Sequence, residues 1–244
     1  MALIIFILQL ALRILAFPMY LLDFLGVWNW VCKKWFPYFL ARFTVMYNRE
    51  MGSKKRELFS NLQEFAGPSG KLSLLELGCG TGTNFKFYPP GCRVACIDPN
   101  PNFEKFLIKS IAENRHLQFE HFLVSSGEDM HQVADGSVDV VVCTLVLCSV
   151  KNQDRVLQEV CRVLRPGGAF YFMEHVADKR SSWNYFWQQV LDPVWHLLFD
   201  GCYLTRESWK ALEQASFSTL KLQHLQAPLS WELVRPHIYG YAVK

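Results

Sequence analysis

Leu75-Glu76-Leu77-Gly78-Cys79-Gly80-Thr81-Gly82 closes a short apolar run and opens a glycine-rich loop. Alternate glycines let a backbone turn sharply and approach a ligand closely. Alone, the pattern also suits a tight turn or a dinucleotide-binding loop. Its surroundings carry more. A second apolar run, 93–97, ends on Asp98, about twenty residues after the loop begins, the usual distance for an acid that binds ribose hydroxyls.

Outward from the loop, short apolar runs alternate with amphipathic ones. Strands are expected at 72–77, 93–97, 117–124, 138–145 and 169–174, with helices at 100–114 and 154–164. The run 138–145 is apolar apart from Asp139 and Thr144, as in a parallel strand buried on both faces. Arg165-Pro166-Gly167-Gly168 is expected to stop the second helix. Residues 178–215 read as mostly helical and aromatic, and 220–224 and 238–243 as two closing strands, one of them inserted antiparallel. This alternation predicts an α/β fold with a doubly wound sheet.

Of the 244 residues, 51% are hydrophobic and only 19% charged, below the roughly 25% charged residues of soluble domains. Net charge is +3, too mild for a nucleic-acid binder. The apolar excess sits in residues 1–31, where Arg13 and Asp23 are the charged residues. A cleaved signal peptide would need a basic start and a small-residue cleavage site, and neither is present. A straight span would put Arg13 near mid-bilayer and Pro18 inside the helix. A monotopic anchor bent at Pro18 fits better, with Trp28, Trp30, Trp35, Phe36 and Tyr38 at the interface. Hairpin and spanning forms both stand. The basic residues Lys33, Lys34, Arg42, Arg49, Lys54, Lys55 and Arg56 follow, which puts this flank in the cytosol. The expected organisation is an anchor (1–31), an amphipathic connecting region (32–70) and a catalytic domain (71–244). The eight cysteines include no CxxC pair. They read as reduced thiols, and no metal site is expected.

Glu76, before the loop, is placed to engage the methionine end of S-adenosylmethionine, directly or through water. Glu128 and Asp129 follow the third strand, where an adenine would lie. ELGCGTG, CIDPNP, GEDMHQVADGSVDVVVC and RVLRPGG together resemble the class I S-adenosylmethionine-dependent methyltransferases over about residues 70–244. The resemblance implies a Rossmann-like seven-stranded mixed sheet with helices on both faces. It implies that Gly78, Gly80 and Gly82 line the cofactor, with Cys79 between them, that Asp98 holds the ribose, and that Glu128 and Asp129 flank the adenine. A narrower resemblance runs the full length. SKKRELFSNLQEFAGPSGKLSLLELGCGTG, YPPGCRV, IDPNPNFEKFL, VVVCTLVLCSV and RPHIYGYAVK are similar to the methyltransferase-like seven family, A type. That implies methylation of small lipophilic thiols by a protein of endoplasmic reticulum and lipid droplet membranes, catalytic domain facing the cytosol.

Methyl transfer from a sulfonium is an in-line displacement, so proximity and alignment matter most. Candidate groups lie where the fourth and fifth strands end: Cys143, Thr144, Leu145 and Cys148, then Glu174 and His175. His175 suits a general base or a structural histidine. Glu174 suits catalysis or fixing of the loop backbone. Cys143 is also placed to touch the cofactor. The aromatics of 183–199 suit an acceptor pocket, a membrane contact or a covering helix. An amino-group methylase of RNA would carry an [ND]PP[YFW] tetrapeptide after the fourth strand, where this chain has Cys143-Thr144-Leu145-Val146. A scaffold without turnover would show damage to the loop or to Asp98, and both are intact. The sequence carries no signal for oligomeric state.

Overall fold

The computed structural model describes residues 2–244, with seven strands in one sheet. The strands are β1 (Ser73–Leu77), β2 (Arg93–Ile97), β3 (Gln118–Leu123), β4 (Val138–Thr144), β5 (Leu164–His175), β6 (Thr219–Gln226) and β7 (Pro236–Val243). Their order is β3-β2-β1-β4-β5-β7-β6. The first five pair in parallel, and β7 inserts antiparallel between β5 and β6. The expected mixed sheet is therefore present. Strand order reverses between β1 and β4, and at such a switch point the carboxyl ends of the strands open a crevice for ligands.

The helices are α1 (Ala2–Leu15), α2 (Phe17–Phe24), α3 (Val27–Leu58), α4 (Glu104–Glu113), α5 (Gln153–Val163), α6 (Trp183–Leu198) and α7 (Ser208–Gln214). On one sheet face, Tyr47, Met51 and Leu58 of α3 pack with Leu74, Val94, Val142 and Tyr171. On the other, Val156, Leu157 and Val160 of α5 pack with Leu75, Val141, Phe170 and Phe172. Side chains cap the starts of two helices: Asn152 Oδ1 accepts from Arg155 N, and Ser182 Oγ from Tyr185 N.

Three expectations change. β5 starts at Leu164 rather than 169, because a register shift between Val138 and Val140 lets Leu164 pair with Val138. Arg165-Pro166-Gly167-Gly168 thus lies within the strand, held where Arg165 Nε meets Asp139 Oδ1 at 2.6 Å. α3 runs through the boundary expected at residue 31, a single helix of 32 residues whose later half belongs to the core. Lys55, expected on a solvated basic flank, is buried and donates to Asn84 Oδ1 at 2.8 Å.

α1 and α2 meet at a bend of 66°, with Pro18 in the first turn of α2. Among the described residues no single helix is long and apolar enough to cross a membrane, although this bent pair together has the length and composition. Leu3, Phe6, Ile7, Leu10, Ile14 and Phe17 are exposed along it.

Two helix-internal prolines have a constructive role. A proline removes one N–H and so frees the carbonyl four residues before it. Pro37 frees Lys33 O, which accepts from Asn100 Nδ2 at 2.9 Å. Pro193 frees Gln189 O, which accepts from Gln9 Nε2 at 2.8 Å. Tyr20 OH and Trp28 Nε1 donate to Pro193 O and Leu197 O. The three acceptors on α6 are four residues apart and form one stripe, along which the N-terminal helices are stitched.

Gly240 lies inside β7 at φ +152°, where a Cβ would sit 1.8 Å from Lys221 O. A glycine inside a strand marks such a close backbone approach. Gly240→Ala is expected to destabilise the fold by about 3 kcal/mol or more, a fall in melting temperature on the order of 10 °C. Thermal unfolding followed by circular dichroism checks this.

Candidate active site

The glycine loop leaves β1 with Gly78, Gly80 and Gly82 all at positive φ. A Cβ on Gly78 would lie 2.3 Å from Val146 Cγ2, so only glycine fits between this turn and the loop after β4. Asp98 ends β2, buried, with Oδ2 accepting from Gly80 N at 3.0 Å and Oδ1 from Asn100 N at 2.9 Å. Each oxygen keeps a second lone pair for a ribose hydroxyl. Burial pushes the Asp98 carboxyl up to about 7, against the pull of the Asn100 and Gly80 N–H groups and Lys33. Thr81 Oγ1 and Asn48 Oδ1, on the loop and on the α3 turn that bonds Thr83 O, are buried without partners. Glycine cradle, buried acid and orphaned polar atoms together fit a nucleoside cofactor.

The other sequence candidates divide. Glu76 lies beneath the loop, where Asn84 Nδ2 and Tyr88 OH donate to its two oxygens at 2.9 and 2.8 Å. Burial raises its carboxyl to about 7 and lowers the nearby Lys55 ammonium to about 7. Its visible role is to brace the loop. The Cys79 side chain turns into the core beside Cys96, which leaves the backbone of Cys79 as its contribution to the loop. Glu128 accepts from Lys151 N, Asn152 N and Ser126 Oγ, tying the segment after β3 to the start of α5. The Asp129 carboxylate is exposed and paired with His131 Nδ1 at 2.8 Å. Cys143 is buried and directs its thiol to Glu174 Oε1 at 3.4 Å, away from any open space.

Glu174 is wholly buried and accepts from Val146 N at 2.9 Å and Leu147 N at 3.1 Å. Of the two roles open to it, the geometry displays the fixing of the loop. The loop needs fixing. Leu145 sits at φ +59°, a conformation costly for a side chain this large.

Beside the loop lies an apolar cavity of about 80 Å³. Its walls are Phe36, Phe39 and Phe43 of α3, Trp195 of α6, Phe199 just after that helix, and Trp231. Leu40 also lines it and comes within 3.0 Å of where a Cβ of Gly80 would be, so one side chain separates cavity from loop. The cavity holds His175, Cys148 and Cys202. His175 Nε2 lies 3.0 Å from Cys202 Sγ, and its Nδ1 is buried without a partner. The neighbouring His237 accepts from Tyr47 OH, 3.0 Å away, and burial lowers its pKa to about 3. The aromatic segment of 183–199 therefore splits by helix face: Trp195 and Phe199 line the cavity, Phe186 is buried, and Trp183 and Trp187 are exposed. Sequence reasoning missed Lys55, Asn84, Asn100 and Cys202. Asn100 lies in the CIDPNP segment, its N–H on Asp98 two residues before it; Lys55, Asn84 and Cys202 meet partners 29 or 27 residues away, which no local pattern marks.

Residues 75–172 match the family model described as a methyltransferase domain. The chain is 85% identical over 244 residues to the human thiol S-methyltransferase TMT1A, covering all of both chains. The chain belongs to the thiol S-methyltransferase family. It is also 60% identical to human TMT1B over 237 residues, 97% of each chain. Among solved structures, a geranyl diphosphate methyltransferase in complex with SAM superposes with a TM-score of 0.60 at 14% identity, over 82% of this chain and 88% of that one. The SpnF [4+2]-cyclase superposes at 0.56 with 15% identity, over 78% and 80%. These two share the fold.

Asp98 supplies a pH test of the cofactor site. Its acid form predominates below about pH 7, and a protonated carboxyl gives up acceptor capacity. Affinity for S-adenosylmethionine should therefore rise about tenfold between roughly pH 6 and pH 8 as the carboxylate forms. Asp98→Asn should bind more weakly and without this slope, as measured by titration calorimetry.

Proposed function

We infer that this enzyme moves the methyl group of S-adenosylmethionine to the sulfur of small lipophilic thiols. The observation that carries this reading is the aromatic cavity at the switch-point crevice, separated from the glycine loop by the side chain of Leu40. S-adenosylmethionine supplies an electrophilic methyl on a sulfonium. Asp98 holds the ribose, the loop backbone admits the cofactor, and Asn48 and Thr81 offer it their free polar atoms. The aromatic walls exclude water and confine an alkyl chain. Confinement aligns the acceptor sulfur for in-line displacement, the main contribution a methyltransferase makes. The full-length match to proteins named thiol S-methyltransferase supports sulfur as the acceptor.

The same reading sets the protein on endoplasmic reticulum and lipid droplet membranes, its catalytic domain in the cytosol. The support is the exposed apolar face of α1 and α2 and the basic residues that follow it. α6 carries both the stitching to these helices and the cavity residue Trp195, with Phe199 directly after it. An acceptor dissolved in the lipid thus has a short way to the site.

Label from S-adenosylmethionine should pass to alkyl thiols rather than phenols, amines or RNA. Asp98→Ala should lower kcat/KM by about 100-fold or more. Cofactor binding with no label on any thiol would defeat the thiol reading and favour a scaffold. For the membrane, Ile7→Glu with Ile14→Glu changes two exposed positions and should abolish flotation with phospholipid vesicles. Unchanged flotation would remove α1 as the lipid contact.

A further inference from the structure

Cys148, His175 and Cys202 come from three separate segments: the loop after β4, the end of β5 and the loop after α6. Their ligand atoms all lie within 4.8 Å of one another. All three line the cavity already read as the acceptor chamber. We propose that these side chains bind a zinc ion whose fourth position takes the acceptor thiol.

The donor set is the first argument. Thiolate and imidazole are the preferred ligands of Zn²⁺, and three protein ligands with one open position mark a reactive rather than a structural site. Among the described residues no fourth histidine, cysteine, aspartate or glutamate joins the group. A tetrahedral ion with Zn–S of about 2.3 Å and Zn–N of about 2.0 Å sets N···S near 3.5 Å and S···S near 3.8 Å. The His175 Nε2–Cys202 Sγ separation of 3.0 Å needs only about half an ångström of opening to reach that geometry.

The surroundings are the second. Outer partners orient metal ligands and tune them. Trp195 Nε1 donates to Cys202 Sγ at 3.4 Å, and Ser149 Oγ lies 3.5 Å from Cys148 Sγ. The Asp192 carboxylate accepts from Leu204 N, Thr205 N and Thr205 Oγ1, pinning the segment that carries Cys202. Asp200 and Gly201, both at positive φ, turn that segment back toward the cavity. Two thiolates also neutralise Zn²⁺, so the centre without substrate carries no net charge in the apolar chamber.

The inference rests on the proposed thiol methylation and adds how the thiol is chosen and activated. An incoming thiol coordinates the open position and loses its proton to water, because a coordinating thiol is deprotonated outright. A lone pair of the bound sulfur then attacks the methyl carbon. The new S–CH₃ bond forms as the sulfonium C–S bond breaks, and that electron pair stays on the departing sulfur, leaving S-adenosylhomocysteine. The thioether is a weak neutral ligand and leaves. A soft thiolate is favoured at such a centre over phenol or amine, which accounts for a preference that the aromatic walls alone do not supply.

The full-length protein in phospholipid nanodiscs, freed of metal and titrated with Zn²⁺ or Co²⁺, tests this. About one equivalent should bind, with the intense tetrahedral visible bands of thiolate-ligated cobalt. Hexanethiol, added without methyl donor, should shift those bands. Cys148→Ser and Cys202→Ser should weaken metal binding at least about tenfold while still binding cofactor, which certifies the fold. Cys202→His should restore binding with an altered spectrum, and Cys161→Ser, outside the cluster, should bind as the parent does. Failure of the parent to bind either metal while it binds cofactor would overturn the inference, as would equal affinity in Cys202→Ser and Cys161→Ser. Thiol methylation by metal-free protein would overturn the metal alone. Metal and thiol binding without label transfer would instead overturn the proposed activity.

Discussion

A carboxylate with no exposed surface, that of Glu174, accepts the backbone N–H groups of Val146 and Leu147. Much of the site hangs from these bonds. Charge-assisted hydrogen bonds of this kind are among the stronger ones in a protein interior. They hold Leu145 in a left-handed conformation that its side chain opposes. With the loop so held, Val146 packs where a Cβ on Gly78 would be, Leu145 faces the cavity, and Cys148 reaches His175 and Cys202. Glycine loop and aromatic cavity are thus set by one buried acid at the end of β5. Burial holds that acid near 7 rather than in the ordinary carboxylate range.

Helix α3 belongs to the same packing as the glycine loop and the aromatic cavity. α3 brings Leu40 to the glycine loop, Phe36, Phe39 and Phe43 to the cavity, and Tyr47 to His237. Its buried Lys55 reaches Asn84, which also bonds Glu76 and Thr144 Oγ1. Burying a charge without partners would be prohibitive; here the network beneath the loop satisfies both the ammonium and the carboxylate.

Most of the fold could be read from the sequence because it follows from local periodicity. The largely apolar run at β4, the glycines after β1 and Asp98 at the end of β2 each declare their place through residue type and spacing. The site was less legible, for physical reasons. Asp129, expected beside the adenine from its place after β3, lies in a turn of four residues that pairs it with His131, which its spacing does not reveal. Lys55 looked solvated because lysines usually are, and its partner Asn84 lies 29 residues away. Cys202 is 27 residues from His175 and in a segment without periodicity. The single helix across residue 31 was hidden because its composition changes midway from apolar to basic while its backbone does not.

The proline at position 37 has a kinetic consequence. It leaves Lys33 O for the side chain of Asn100, whose backbone N–H meanwhile holds Asp98. Asp98 and helix α3 are therefore two ends of one short lever. Coupling of this kind is reciprocal: a nucleoside that steadies Asp98 steadies the helix, and the helix supplies the chamber's aromatic wall. Turnover should then have a direction, with donor bound before acceptor and the spent donor leaving last. A covalent ring closed on one backbone nitrogen would in that way set the order of substrate addition.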